Sequence, residues 1–60
     1  MKFHEILRQR RLALRLTQEQ LAQRLGVSAP AVNKWERNNS YPDITLLPPL
    51  ARLLEVDLNT

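Results

Sequence analysis

Sixty residues allow one small domain, which buries roughly 60% of the surface its unfolded chain exposes and can fold alone. Hydrophobic residues make up 43%, against a disordered polar chain, and the absence of cysteine excludes disulfides, thiolate zinc sites and thiol nucleophiles. The net charge of +3 is uneven: residues 1–37 hold eight basic and three acidic side chains, residues 38–60 one and three, so a basic front suits a polyanion on one side.

The single histidine, His4, builds no metal site, and its place on a helix predicts an ordinary surface residue. Apolar runs of two or three residues give neither a membrane span nor a signal-peptide core, and an early Glu5 is unlike a transit peptide. One glycine leaves no phosphate-binding loop, and no nucleophile has a base beside it. Neither an enzyme nor a cofactor is therefore expected, and the expected compartment is the cytoplasm.

Four segments have helical spacing. In the first, Phe3, Ile6, Leu7 and Leu14 share one side at about 100° per residue. The second opens at Thr17, whose hydroxyl and the Gln20 amide form a capping box. Glu19 in its first turn suits the helix dipole. Leu21, Ala22 and Leu25 make its inner stripe, and Gly26 stops it in a left-handed conformation. Ser28 caps a third helix with Pro30 in its first turn, running to about Glu36 or Arg37. Asn38, Asn39 and Ser40 then form a polar turn, and Tyr41 before Pro42 is extended. Asp43 caps a fourth helix through Leu54, spaced by Ile44, Leu47, Leu50, Ala51 and Leu54. Pro48 and Pro49 remove two donors, so that helix either kinks or starts nearer Leu47. Val56 to Thr60 reads as the opening of a further helix, as in a domain cut before its last element.

About three residues around Gly26 join helices two and three. So short a joint forces a sharp angle, and the result is a helix-turn-helix or an ordinary helical hairpin. In the former, one helix crosses the DNA backbone while the next enters the major groove. The stretch Leu16-Thr17-Gln18-Glu19-Gln20-Leu21-Ala22-Gln23-Arg24-Leu25-Gly26-Val27-Ser28, then Val32-Asn33-Lys34-Trp35-Glu36-Arg37, resembles the phage-repressor-like (XRE-type) helix-turn-helix DNA-binding family. The likeness continues through Pro42-Asp43-Ile44 and Leu50-Ala51-Arg52-Leu53-Leu54-Glu55-Val56, nearly the whole chain. It implies an all-α, compact four- to five-helix bundle of the lambda-repressor-like kind. Residues 1–60 would be a single domain, its helix-turn-helix at about 17–37, forming the N-terminal part of a longer regulator. It also implies double-stranded DNA as partner and a homodimer on a two-fold operator. Arg15 and Asn38 stand where the family often has glycine, and Ala29 and Pro30 where many relatives carry polar base readers.

On the wheel of helix three, Ala29, Pro30, Asn33, Lys34 and Arg37 fall on one side, and Ser28, Ala31, Val32 and Trp35 on the other. Asn33 suits adenine, Lys34 suits guanine, and Ala29 and Pro30 suit a thymine methyl. The expected phosphate contacts are Thr17, Gln18, Ser28, Arg37, Asn38, Asn39 and Ser40, and the resemblance gives Gln18 a base contact too. Tyr41 either joins them or caps the core edge, and Trp35 packs in the core. Arg10, Arg11 and Arg15 add long-range attraction. Glu36 lies between the two faces. In the resembled family this acid pairs with an arginine of helix one, and motif alignment assigns Arg11. The wheel instead puts Arg10 nearer the centre of the apolar stripe. We favour Arg11, because the pairing must meet the end of helix three at the flank.

The function expected is sequence-specific DNA binding by a prokaryotic or phage regulator, with helix three in the major groove. The alternative is a protein-interaction module of antitoxin or coactivator type, in which a surface of Leu46, Leu53, Leu54 and Leu58 matters more than Asn33 and Lys34.

Overall fold

Four helices and one 3-10 turn follow one another in a computed structural model that describes residues 2–55. They are α1 (Phe3–Ala13), α2 (Gln18–Leu25), α3 (Ala29–Glu36), the 3-10 turn Ile44–Leu46, and α4 (Leu47–Leu54). No strand occurs among the described residues. The opening of a fifth helix, with Leu58, lies outside them.

Local chemistry accounts for most boundaries. Thr17 Oγ1 accepts from the Gln20 backbone N–H at 3.0 Å, while Gln20 Oε1 accepts from the Thr17 N–H at 2.9 Å, so the capping box is complete. Ser28 Oγ accepts from the Ala31 N–H at 3.3 Å, and Pro30 follows in the first turn of α3, where a missing donor costs little. Asp43 caps the 3-10 turn: the Thr45 backbone N–H and hydroxyl both reach its carboxylate, and these bonds hold its pKa below the ordinary value. The fourth helix therefore starts at Leu47 rather than Asp43, which resolves the proline conflict. Pro48 and Pro49 fall in the first turn of α4, where the chain has orphan donors in any case.

Every helix ends on a left-handed residue: Arg15 (φ 59°), Gly26 (φ 80°), Asn38 (φ 62°) and Glu55 (φ 59°). Behind the first three, the next N–H reaches five residues back: Leu16 to the Arg11 carbonyl at 3.1 Å, Val27 to Ala22 at 2.9 Å, and Asn39 to Lys34 at 2.9 Å. These are Schellman-type ends, which satisfy carbonyls the helix leaves open and turn the chain sharply. Only one of the four is glycine. Arg15 and Glu55 carry the steric cost of that conformation, roughly 1–2 kcal/mol each.

The core draws on all four helices: Leu7 from α1, Leu21 and Ala22 from α2, Val32 and Trp35 from α3, Leu50 and Leu54 from α4. Leu7, Leu21 and Val32 are fully enclosed. Trp35 is buried at 5% exposure, as core packing requires, and His4 is half-buried rather than on the open surface. Leu54 is buried too, at 3%, which corrects its assignment to an interaction surface; Leu46 and Leu53 pack half-buried against the same core.

Two arginines of α1 tie the bundle together in different ways. Arg11 is buried at 8% exposure. Its Nε and Nη2 donate to the two carboxylate oxygens of Glu36 at 2.6 and 3.0 Å, and its Nη1 to the Leu16 carbonyl at 2.8 Å. Arg10 instead donates from Nε to the Leu54 carbonyl at 2.9 Å and stands 3.6 Å from the exposed Glu55 carboxylate, so its charge meets the C-terminus of α4. Both cations thus have carboxylate partners within the protein, which offset part of the long-range attraction expected of them.

Removing one partner of a buried, bidentate pair costs roughly 3 kcal/mol or more, whereas an exposed pair with one hydrogen bond is worth about 1. Arg11→Ala should therefore lower the melting temperature clearly more than Arg10→Ala in thermal unfolding followed by circular dichroism; equal shifts would contradict this account. Arg15→Gly should be neutral or stabilising by up to about 1 kcal/mol, because it removes left-handed strain. Gln23→Gly, on the exposed side of α2, should cost about 1 kcal/mol. Urea titration of both variants checks the opposite signs.

Candidate nucleic-acid interface

The helix-turn-helix is set by three residues, Gly26, Val27 and Ser28, between the end of α2 and the start of α3. Gly26 turns the chain, Val27 packs half-buried against the core, and Ser28 restarts a helix. Buried Leu21 and Ala22 on α2 and Val32 and Trp35 on α3 belong to one cluster, which fixes how the second helix rolls about its axis. That roll decides which α3 side chains remain outside.

Pro30, Lys34 and Arg37 are exposed. Ala29 is half-buried and packs against the core, so only part of its methyl is open. Ala31 is half-buried, and Ser28, grouped with the apolar side by the wheel, is an exposed cap instead. Asn33 is half-buried and does not project freely beside Lys34: its Nδ2 donates to Gln18 Oε1 at 3.3 Å. Gln18, at the first position of α2, is also half-buried and donates from Nε2 to Glu36 Oε1 at 3.1 Å. Gln18 and Asn33, from α2 and α3, thus form one hydrogen-bonded unit rooted in the Arg11–Glu36 pair.

Around this unit lies a polar hollow lined by Arg8, Arg11, Gln18, Asn33, Glu36 and Arg37. With Arg11 and Glu36 paired, its uncompensated charge comes from Arg8 and Arg37. Sequence reasoning did not single out Arg8. The signal was its position three residues before Arg11, on the same side of α1. Thr17 is exposed at the start of α2, its Oγ1 already accepting a backbone bond but its hydroxyl proton free to turn outward.

Asn38 and Asn39 are exposed beyond α3, with Ser40 half-buried behind them. Tyr41 is 69% exposed, its ring tilted against Phe3 at 5.8 Å between centroids and its hydroxyl 3.4 Å from Asn38 Oδ1. It therefore sits at the edge of the bundle, toward α1, rather than capping the core. Arg15 is exposed at the α1–α2 joint.

Among the described residues no helix is long and apolar enough to cross a membrane, and no group of three His, Cys, Asp or Glu side chains could hold a metal. The arrangement suits contact with a polyanion through exposed cations and caps, and hydrogen bonding through preset amides.

A family model described as helix-turn-helix matches residues 7–60. The HTH-type transcriptional activator BcrR of Enterococcus faecalis is 41% identical over 59 residues, which cover 98% of this chain and 29% of that protein. The chain thus spans less than a third of that relative's length. No solved structure matches the chain significantly. The match to the family model over nearly the whole chain, together with the three-residue joint between α2 and α3, establishes that the chain belongs to the XRE-type, phage-repressor-like helix-turn-helix family.

Proposed function

We propose that this chain is the DNA-binding part of a prokaryotic, cytoplasmic transcriptional regulator, and that it inserts α3 into the major groove of double-stranded DNA. The observation that carries this reading is the exposed face of α3. Pro30, Lys34 and Arg37 are open while Val32 and Trp35 are locked in the core, and α2 lies across a joint of three residues. A groove about 12 Å wide admits such a helix, and the helix before it rests on the backbone.

In this reading Lys34 meets guanine O6 or N7, Asn33 meets adenine, and Ala29 and Pro30 meet a thymine methyl. Gln18 keeps one Nε2–H for the edge of a base or a phosphate. Thr17, Ser28, Arg37, Asn38, Asn39 and Ser40 hold phosphates and so fix the register without reading sequence. Arg8 joins them from α1, beside Arg37. Two copies would occupy a two-fold operator, with half-sites about one helical turn apart. The name of the Enterococcus relative agrees with a role in transcription regulation.

The test is binding to duplexes selected from a random pool, measured across a salt series. Affinity should fall steeply with salt. Arg37→Ala should reduce the salt slope by about 1 and weaken all sequences alike. Asn33→Ala should cost about 1–3 kcal/mol and relax base choice at one position per half-site. A chain for which neither change alters binding does not use α3 as proposed.

A further inference from the structure

The outer face of α3 divides along its length. Toward its end it carries the Asn33 amide, the Lys34 ammonium and the Arg37 guanidinium, whereas Ala29 and Pro30 bring no polar side-chain atom. Pro30 is exposed and Ala29 half-buried, so the proline ring makes the larger part of this carbon surface. The backbone beneath adds little polarity. Pro30 has no N–H to give. The Ala31 N–H reaches Ser28 Oγ at 3.3 Å and the Ser28 carbonyl at 3.1 Å, and the Val32 N–H reaches that carbonyl at 3.4 Å. What this part of α3 can offer a base edge is apolar contact.

We propose that Ala29 and Pro30 recognise the C5 methyl group of a pyrimidine rather than the base that carries it, so that the chain accepts 5-methylcytosine where it accepts thymine. This rests on the DNA reading above and deepens it by naming cytosine-methylated duplex as a class of ligand. In the major groove thymine presents the O4 acceptor and a C5 methyl, and cytosine the N4 donor with no methyl. A side chain with a donor or an acceptor tells O4 from N4 whatever stands at C5. A carbon surface senses the methyl alone. Asn33 and Lys34 follow Ala29 and Pro30 by four residues, about 6 Å along the axis. Base pairs stack about 3.4 Å apart. A helix lying along the groove therefore gives the two polar side chains a different pair, and no hydrogen bond of theirs decides the base beside Pro30.

The experiment starts from a duplex that the wild-type chain selects from a random pool. Each thymine is replaced in turn by deoxyuridine, which lacks only the methyl. One thymine per half-site should lose roughly fourfold in affinity, the worth of one buried methyl-sized group. With Pro30→Ser the same exchange should change affinity little. At that position 5-methylcytosine opposite guanine should bind as thymine opposite adenine does, and unmethylated cytosine as deoxyuridine does. The ratio is read for each protein separately, so a general loss of affinity in Pro30→Ser cancels, and the two cytosine duplexes need no variant at all.

A selected duplex in which no thymine methyl matters would overturn the proposal. So would a methyl whose worth survives Pro30→Ser, or 5-methylcytosine bound no better than cytosine. Each of these leaves the DNA reading standing, because a duplex has been selected. A wild-type chain that selects no duplex overturns the DNA reading and this inference with it.

Discussion

The structure turns on a buried charge pair. Arg11 and Glu36 meet where the end of α1, the start of α2 and the end of α3 converge, and each brings a desolvation cost that must be offset by good geometry. The geometry is good: two parallel bonds to the carboxylate, with a third from the same guanidinium to the Leu16 carbonyl in the α1–α2 connection. A hydrophobic pair of similar volume would fill the same space. It would not hold α3 in one register along α1, nor supply an acceptor with a defined direction to Gln18. The charge pair contributes orientation as much as net stability.

Orientation matters because the remaining devices are small. The core of this chain consists of a few leucines with Ala22, Val32 and Trp35, near the lower size limit for independent folding. Three helices of eight residues would not persist alone in water. They hold because each is ended by a left-handed residue and roofed by the same cluster, and because α2 and α3 are also capped at the start. Two of those left-handed residues, Arg15 and Glu55, carry strain that glycine would not. The bundle tolerates this where the turn lets Leu16 reach Arg11 or lets Arg10 close over the end of α4.

What the sequence made legible was local. Thr17 with Gln20, Ser28 with Pro30, and Gly26 between two periodic stretches mark boundaries through chemistry that acts within four residues, and these boundaries stand in the structure. Asn38 was readable as a left-handed residue from its type; Arg15 was suspect only from the resemblance, and Glu55 carries no such mark. Periodicity placed Val32 and Trp35 inside and put Leu54, not Leu53, on the inner stripe of the fourth helix; the separate assignment of Leu54 to an interaction surface failed because the core encloses it. Asn33 shows a limit of periodicity at the candidate interface. A wheel places it beside Lys34, whereas its amide is held by a residue fifteen positions away. Nothing in a single sequence signals a bond of that span between two neutral side chains.

The difference between Asn33 and Lys34 has a physical consequence for recognition. Lys34 is exposed, its ammonium at the end of a long flexible stem; in the proposed complex it would lose rotamer freedom on contact and adapt to whichever acceptor the groove offers. The Asn33 amide has already lost that freedom through its bond to Gln18 and, behind it, to a carboxylate locked by Arg11. The first kind of contact favours affinity that follows charge and fades with salt. The second favours geometry set before the encounter, which costs less to order and tolerates fewer arrangements. A domain this small has room for few such preset groups. Building one of them onto the charge pair that also fixes the fold makes the stability of the bundle and the geometry of its proposed reading face depend on the same two side chains.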